Sequence, residues 1–213
     1  MTTPMSWATY GPKLLRSQFF VSIPQPKSDF SGQTIIVTGS NTGLGLEAAR
    51  QLVRLKAAKV ILAVRTVSKG EAAAADILRT TKATKNTVEV WPLDLSNHDS
   101  IKDFGARVAG LDRLDAVIQN AGIMTPFNFV RVGDDEMHIA INTIAPILLA
   151  LLILPKLRES AKKFGIRARL SFVGSDLHYI AQAKEANTPG PVLDALKDEK
   201  MAKENMGNRY ALV

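Results

Sequence analysis

Three glycines crowd the point where an apolar run hands over to a helix. Thr34-Ile35-Ile36-Val37 leads into Thr38-Gly39-Ser40-Asn41-Thr42-Gly43-Leu44-Gly45, and a helix-like stretch follows. Glycine lacks a Cβ and enters positive φ without penalty, so such a loop can turn tightly and bring backbone N–H groups and a helix N-terminus against a ligand. A negatively charged group suits that position, and a dinucleotide pyrophosphate is the expected one. The alternative is a glycine-rich turn with no ligand; the strand before and the helix after supply the context that favours the phosphate site.

The rest of the chain repeats this strand-to-helix pattern. Apolar, β-branched runs at Thr34–Thr38, Lys59–Val64, Thr87–Trp91, Asp115–Gln119 and Arg169–Gly174 are the expected strands. Between them, amphipathic stretches at Gly43–Lys56, Ser68–Thr81, Asn97–Ala109 and Asp134–Lys163 are the expected helices. Five such units in series imply an α/β fold, a Rossmann-type doubly wound parallel sheet with five strands. Residues 1–30, with four prolines, are expected to form an irregular arm, and residues 31–213 a single dinucleotide-binding domain. Lys56-Ala57-Ala58 must turn the first helix into the second strand without a glycine, so local strain is expected there.

Bulk properties narrow the function classes. The chain has 213 residues, no cysteine and a net charge of +7. Disulfides and thiolate metal sites are therefore out of consideration, and no metal site is expected. Nucleic acid is not expected as a partner, because the Lys and Arg residues are scattered and not interleaved with aromatics. The densest basic cluster, Lys156, Arg158, Lys162, Lys163, Arg167 and Arg169, falls at a helix end, where cations suit the helix dipole. Phe19-Phe20-Val21 is too short for a signal core, and Ile144–Leu154 contains Pro146 and falls short of the ~20 residues of a transmembrane segment. A cytoplasmic protein is expected, with the Ile144–Leu154 stretch as a core helix or as the interface of a homo-oligomer.

In an open parallel sheet the ligand lies across the carboxyl ends of the strands, so the residues just after each strand carry the information. After the second strand stand Arg65 and, one turn on, Lys69, where an NAD-preferring protein would carry an acid. An arginine can fork onto a 2′-phosphate, which favours NADP(H); the alternative is the solvated start of a helix. After the third strand Asp94 could accept from an adenine amino group. After the fourth come Asn120-Ala121-Gly122, small enough for the backbone to close on a cofactor. Taken singly, Asp94 and Asn120 could equally be caps or turn residues.

With these motifs in order, the chain resembles the short-chain dehydrogenase/reductase family. The resemblance rests on Thr38 to Gly45, Asp94, Asn120-Ala121-Gly122, Asn142, Ser175 and Tyr210, and runs from about Gly32 to the end. The long stretch between Ser175 and Tyr210 is similar to the retinol-dehydrogenase-like branch, which includes fungal members associated with secondary metabolism. His178 matches that branch too, or is an ordinary loop histidine. The resemblance implies that Gly39, Asn41, Gly43, Leu44, Gly45, Arg65, Lys69, Asp94, Asn120, Ala121 and Tyr210 hold NADP(H). It implies further that Tyr210 exchanges a proton with a small apolar alcohol or carbonyl substrate and that Ser175 holds the substrate oxygen. Asn142 is followed four residues later by Pro146, which has no N–H to offer the Asn142 carbonyl. That carbonyl is expected to hold a relay water; a packing kink is the alternative.

The family's motif is Tyr-x-x-x-Lys, and the chain reads Tyr210-Ala211-Leu212-Val213, so the lysine would come next. Lowering a phenol from ~10 to ~7 takes about 4 kcal/mol, which a unit charge at ~4 Å supplies at an effective dielectric near ~20. The last strands of the family fold would also follow, so the 213 residues alone are expected to form a C-terminally truncated copy with little or no reductase activity. Two readings follow: an NADP(H)-dependent oxidoreductase, or a truncated, catalytically impaired NADP(H)-binding or interaction protein. A third, a nucleic-acid or membrane-surface protein, rests on charge alone.

Overall fold

Strands form where β-branched runs can be covered on both faces. The computed structural model describes residues 4–125 and 128–213. Along the chain, α1 (Trp7–Phe20) is followed by β1 (Thr34–Thr38), α2 (Gly43–Arg54), β2 (Lys59–Val64), α3 (Val67–Thr81), β3 (Val88–Pro92), α4 (His98–Ala109) and β4 (Ala116–Gln119). A two-stranded ribbon of β5 (Arg131–Val132) and β6 (Asp135–Glu136) then leads to a single turn, α5 (Met137–Ile139), and to α6 (Ala145–Phe164). After β7 (Arg169–Phe172) come three short helices, α7 (Val192–Lys197), α8 (Glu199–Glu204) and α9 (Met206–Arg209).

The described residues fall into two compact units. The first, Lys27–Gly122 with Ile144–Gly174, holds a five-stranded sheet of order β3-β2-β1-β4-β7, parallel throughout. Val37 of β1 is in register with Leu62 of β2 on one side and Ile118 of β4 on the other. The winding reverses between β1 and β4, which makes their carboxyl ends the topological switch point of this unit. Ile35, Val37, Val60, Leu62, Ala49, Val53 and Ile77 close the core between the sheet and the α2–α3 layer. On the other face α6 packs beside α4, with Leu149, Ile153 and Leu157 buried. The run Met137–Phe164 is long and apolar enough to cross a membrane by those criteria alone, yet 44% of its most apolar window is buried in the fold. β7 pairs only with β4 among the described residues and leaves Phe172 exposed at the sheet edge, with Val173 exposed just beyond it.

The second unit comprises Met1–Pro26, Ile123–Thr143 and Ser175–Val213. It corrects two expectations. The arm expected to be irregular contains helix α1, which carries Pro12 in its interior and buries Tyr10. The stretch Asp134–Lys163 is not one helix. It opens with the ribbon around Gly133, whose φ is +58°, and widens into a π-turn over Ala140–Ile144 before α6. At the α2–β2 junction Lys56 does adopt a left-handed conformation with φ 69°, the strain expected from the missing glycine. Lys156, expected on a solvated helix end, is buried, and its ammonium pairs with Glu159 at 2.8 Å.

Candidate active site

The glycine loop sits at the switch point and is held there by one hydroxyl and one amide. Thr38, the last residue of β1 and almost wholly buried, accepts from the backbone N–H groups of Asn120 at 3.0 Å and Ala121 at 2.9 Å. The Asn120 amide in turn donates to the Thr38 carbonyl at 3.0 Å and to the Gly39 carbonyl at 3.4 Å. The Asn120 side chain is thus committed to shaping the loop. Gly39 has φ +64°, and a Cβ there would lie 2.9 Å from the Ala121 Cα. A Cβ on Gly45 would meet the Asn120 amide and, at 2.5 Å, the Gly39 carbonyl. Gly43 differs: its φ is +57°, but a Cβ there would point into open space. The loop therefore closes on itself at two glycines and stays open at the third, where α2 begins. Asn41 is half-buried and its side chain makes no hydrogen bond among the described residues, while Leu44 is 79% exposed. This backbone cradle, with an uncovered apolar side chain beside it, fits a dinucleotide.

Beyond β2, Arg65 and Lys69 are both exposed, and neither forms an ion pair among the described residues. An unneutralised pair of cations here fits a phosphate better than a ribose hydroxyl. Asp94, after β3, is more engaged than its sequence position suggests. Its Oδ1 accepts from the Ser96 N–H at 2.9 Å and the Ser96 hydroxyl at 2.6 Å, building the turn into α4. The second carboxylate oxygen makes no hydrogen bond among the described residues.

The second unit carries the other expected residues. Asn142 lies in the π-turn, a distortion common at functional sites. Its side chain accepts from the Ile123 N–H and donates to the Ile123 carbonyl, both at 2.9 Å, so it clamps the loop that follows Gly122. Ser175 caps a 3₁₀ turn over Asp176–Ile180 by accepting from the Leu177 N–H at 3.2 Å. The proton of the Ser175 hydroxyl has no acceptor among the described residues. His178 is exposed, and its Nδ1 lies 2.5 Å from the Ser175 carbonyl. Tyr210 opens a terminal 3₁₀ turn directly after α9 and is half-buried. No hydrogen bond joins the side chains of Asn142, Ser175 and Tyr210 to one another among the described residues.

Sequence reasoning missed the residues that support this set. Thr38 was legible only as the first letter of a motif, although a hydroxyl at a strand end facing a second strand's exit is a recognisable anchor. Glu136, His138, Glu185 and Arg209 form a buried charged cluster that no local pattern announces, because its members come from three separate stretches of chain.

A family model described as short chain dehydrogenase matches residues 33–168. The chain is 41% identical over 200 residues to a short chain dehydrogenase/reductase of Cryptosporiopsis sp., covering 93% of this chain and 61% of that protein. It is 43% identical over 199 residues to a short chain dehydrogenase of Emericella nidulans, covering 91% of this chain and 61% of that protein. Among solved structures, it is similar to a metagenomic short-chain oxidoreductase in complex with NADP, with a TM-score of 0.59 and 27% identity over 84% of this chain and 75% of that one. The chain spans half to three fifths of the length of curated relatives such as these: 61%, 50% and 61% in three cases.

Proposed function

The chain belongs to the short chain dehydrogenase family, and on that ground we propose that the protein containing it is an NADP(H)-dependent oxidoreductase that interconverts an alcohol and a carbonyl on a small apolar metabolite. The observation that carries the cofactor preference is Arg65, which stands exposed after β2 and without an ion-pair partner among the described residues, where an acid would select a free ribose hydroxyl. Lys69 would share the 2′-phosphate. Gly39, Asn41, Gly43, Leu44, Gly45 and Ala121 would line the dinucleotide, with the free oxygen of Asp94 available to an adenine amino group and Asn120 holding the loop in shape. When bound, the nicotinamide supplies or accepts the hydride.

The chemistry assigned to this chain's own residues follows from their free valences. Ser175 still has a proton to donate, which suits it to hold a substrate oxygen. Asn142 places one donor and one acceptor of its side chain on Ile123, and its backbone carbonyl, four residues before Pro146, would hold a relay water. Tyr210 would pass the proton at its hydroxyl and contact the nicotinamide ribose. A cytoplasmic location, self-association and a place in fungal secondary metabolism belong to the same proposal.

Calorimetric titration tests it. NADPH is expected to bind more tightly than NADH, and Arg65→Ala is expected to lower NADPH affinity by about ten- to hundredfold, the loss of a charge-assisted hydrogen bond, with little effect on NADH. Equal affinity of the unsubstituted chain for the two nucleotides would refute the cofactor assignment.

A further inference from the structure

Tyr210 follows a helix of only four residues, α9, and a helix that short has no stability of its own. Its orientation must come from tertiary anchors, and the two residues immediately before it supply them. We propose that Asn208 and Arg209 are positioning residues that fix Tyr210 relative to the segments bearing Ser175 and Asn142; the proposal rests on the oxidoreductase reading for its functional meaning.

Asn208 makes a two-bond clamp on one residue. Its Oδ1 accepts from the Gln182 N–H at 2.9 Å and its Nδ2 donates to the Gln182 carbonyl at 2.6 Å. Gln182 lies just past the 3₁₀ turn Asp176–Ile180 that Ser175 caps. The clamp thus ties the α9 turn to the Ser175 turn.

Arg209 points elsewhere, since consecutive helical residues diverge by about 100°. Its guanidinium is fully buried between two buried carboxylates, with Nε 3.8 Å from Glu136 Oε2 and Nη1 3.4 Å from Glu185 Oε1. Among the described residues none of its nitrogens forms a hydrogen bond, nor does either oxygen of Glu185, so charge attraction rather than directional bonding holds the pair of contacts. Glu136 is itself the cap of the Asn142 segment. Its Oε2 accepts from the His138 N–H at 3.1 Å and the Ile139 N–H at 3.4 Å, and its Oε1 lies 2.7 Å from His138 Nδ1. His138 Nε2 accepts from the Thr125 N–H at 3.1 Å, which turns Nδ1 toward Glu136. The network therefore runs from Arg209 through Glu136 to the α5 turn, three residues before Asn142, and through His138 to the loop that Asn142 clamps. Asn208 reaches the Ser175 turn, Arg209 reaches the Asn142 turn, and Tyr210 is left to face the third direction.

The test reads Tyr210 directly and needs no substrate. With 3-fluorotyrosine at Tyr10, Tyr179 and Tyr210, the chain gives three ¹⁹F lines, and Tyr210→Phe identifies the one from Tyr210. Asn208→Ala and Arg209→Gln are expected to split or broaden that line, because the first removes the clamp and the second removes the charge shared by two carboxylates. Arg209→Lys keeps the charge and is expected to retain a single line. A Tyr210 line that stays single in both Asn208→Ala and Arg209→Gln overturns the proposal, even if the unfolding midpoint falls, since that is what a merely structural role would do. Should Arg209→Gln fail to fold, Asn208→Ala decides alone, its side chain being only half-buried. Failure of the unsubstituted chain to bind NADPH would overturn the oxidoreductase reading and still leave the Tyr210 line to decide the positioning.

Discussion

Gly43 and Gly45 stand two residues apart in one loop and are glycine for different reasons. Gly43 needs only its backbone angle, φ +57°, and a methyl group there meets nothing within 4 Å among the described residues. Gly45 needs the space, because a methyl group would press on the Gly39 carbonyl and the Asn120 amide. The two alanine variants should therefore separate folding from binding. Gly43→Ala is expected to cost about 1–2 kcal/mol of stability, the price of a left-handed alanine, but to weaken NADPH binding disproportionately, since the methyl group stands in the open mouth of the cradle. Gly45→Ala is expected to cost about 1–3 kcal/mol by overpacking and to loosen the loop itself. Urea denaturation alongside calorimetric titration of each variant distinguishes them, and similar ratios of stability loss to affinity loss in both would contradict the assignment. Asn120, expected from sequence to contact the cofactor, uses its Nδ2 on the Thr38 and Gly39 carbonyls, which gives it a part in shaping the loop as well.

At the scale of elements, the junction between α2 and β2 stores strain that a single substitution can release. Lys56 ends the helix with φ 69° because the Leu55-Lys56-Ala57 turn must reverse direction, and its N–H still reaches the Val53 carbonyl at 3.0 Å. Glycine takes that angle freely. Lys56→Gly is expected to gain about 1 kcal/mol, seen as a higher urea midpoint with an unchanged slope. The exposed ion pair with Asp29 that it would lose, 3.3 Å long with both partners largely in solvent, offsets little of this. The strain was legible beforehand, because a helix-to-strand turn of Lys-Ala-Ala contains no residue that favours positive φ. The π-turn over Ala140–Ile144 was legible only in part. Pro146 announces a missing N–H, but whether the helix kinks, breaks or widens depends on what packs around it, and here the Gln119 amide donates to the Pro146 carbonyl at 2.9 Å from β4.

For the molecule as a whole, acid stability follows from carboxyls held below their ordinary range. Hydrogen bonds from Ser31 lower Asp29 to about 2, with Lys56 adding to the shift. The Arg50 guanidinium, buried between α2 and α3, lowers Asp76, with Arg79 contributing. As pH falls the unfolded chain takes up these protons first. Their stabilising contribution is thus complete above the unfolded carboxyl range near pH ~4 and is lost as pH drops through the folded values. The urea midpoint is expected to fall steadily between about pH 5 and about pH 2, and Arg50→Met to flatten that dependence; a midpoint independent of pH over this range would rule the linkage out. Five parallel strands, the helices α2, α3 and α4 and the glycine loop could be read from the sequence because each is written in neighbouring residues, as a period of β-branched side chains or as a φ that only glycine takes easily. The helix within residues 4–26 could not, since Pro12 argues against it locally and the burial of Tyr10 outweighs that only in the folded unit. Nor could the supports of the site: Thr38 meets Asn120 across 82 positions of sequence, and Glu136, Glu185 and Arg209 meet in a buried pocket from three distant stretches. Local backbone preference is a property of a few adjacent residues, whereas the pairing of buried polar groups depends on which strands and turns the topology brings together.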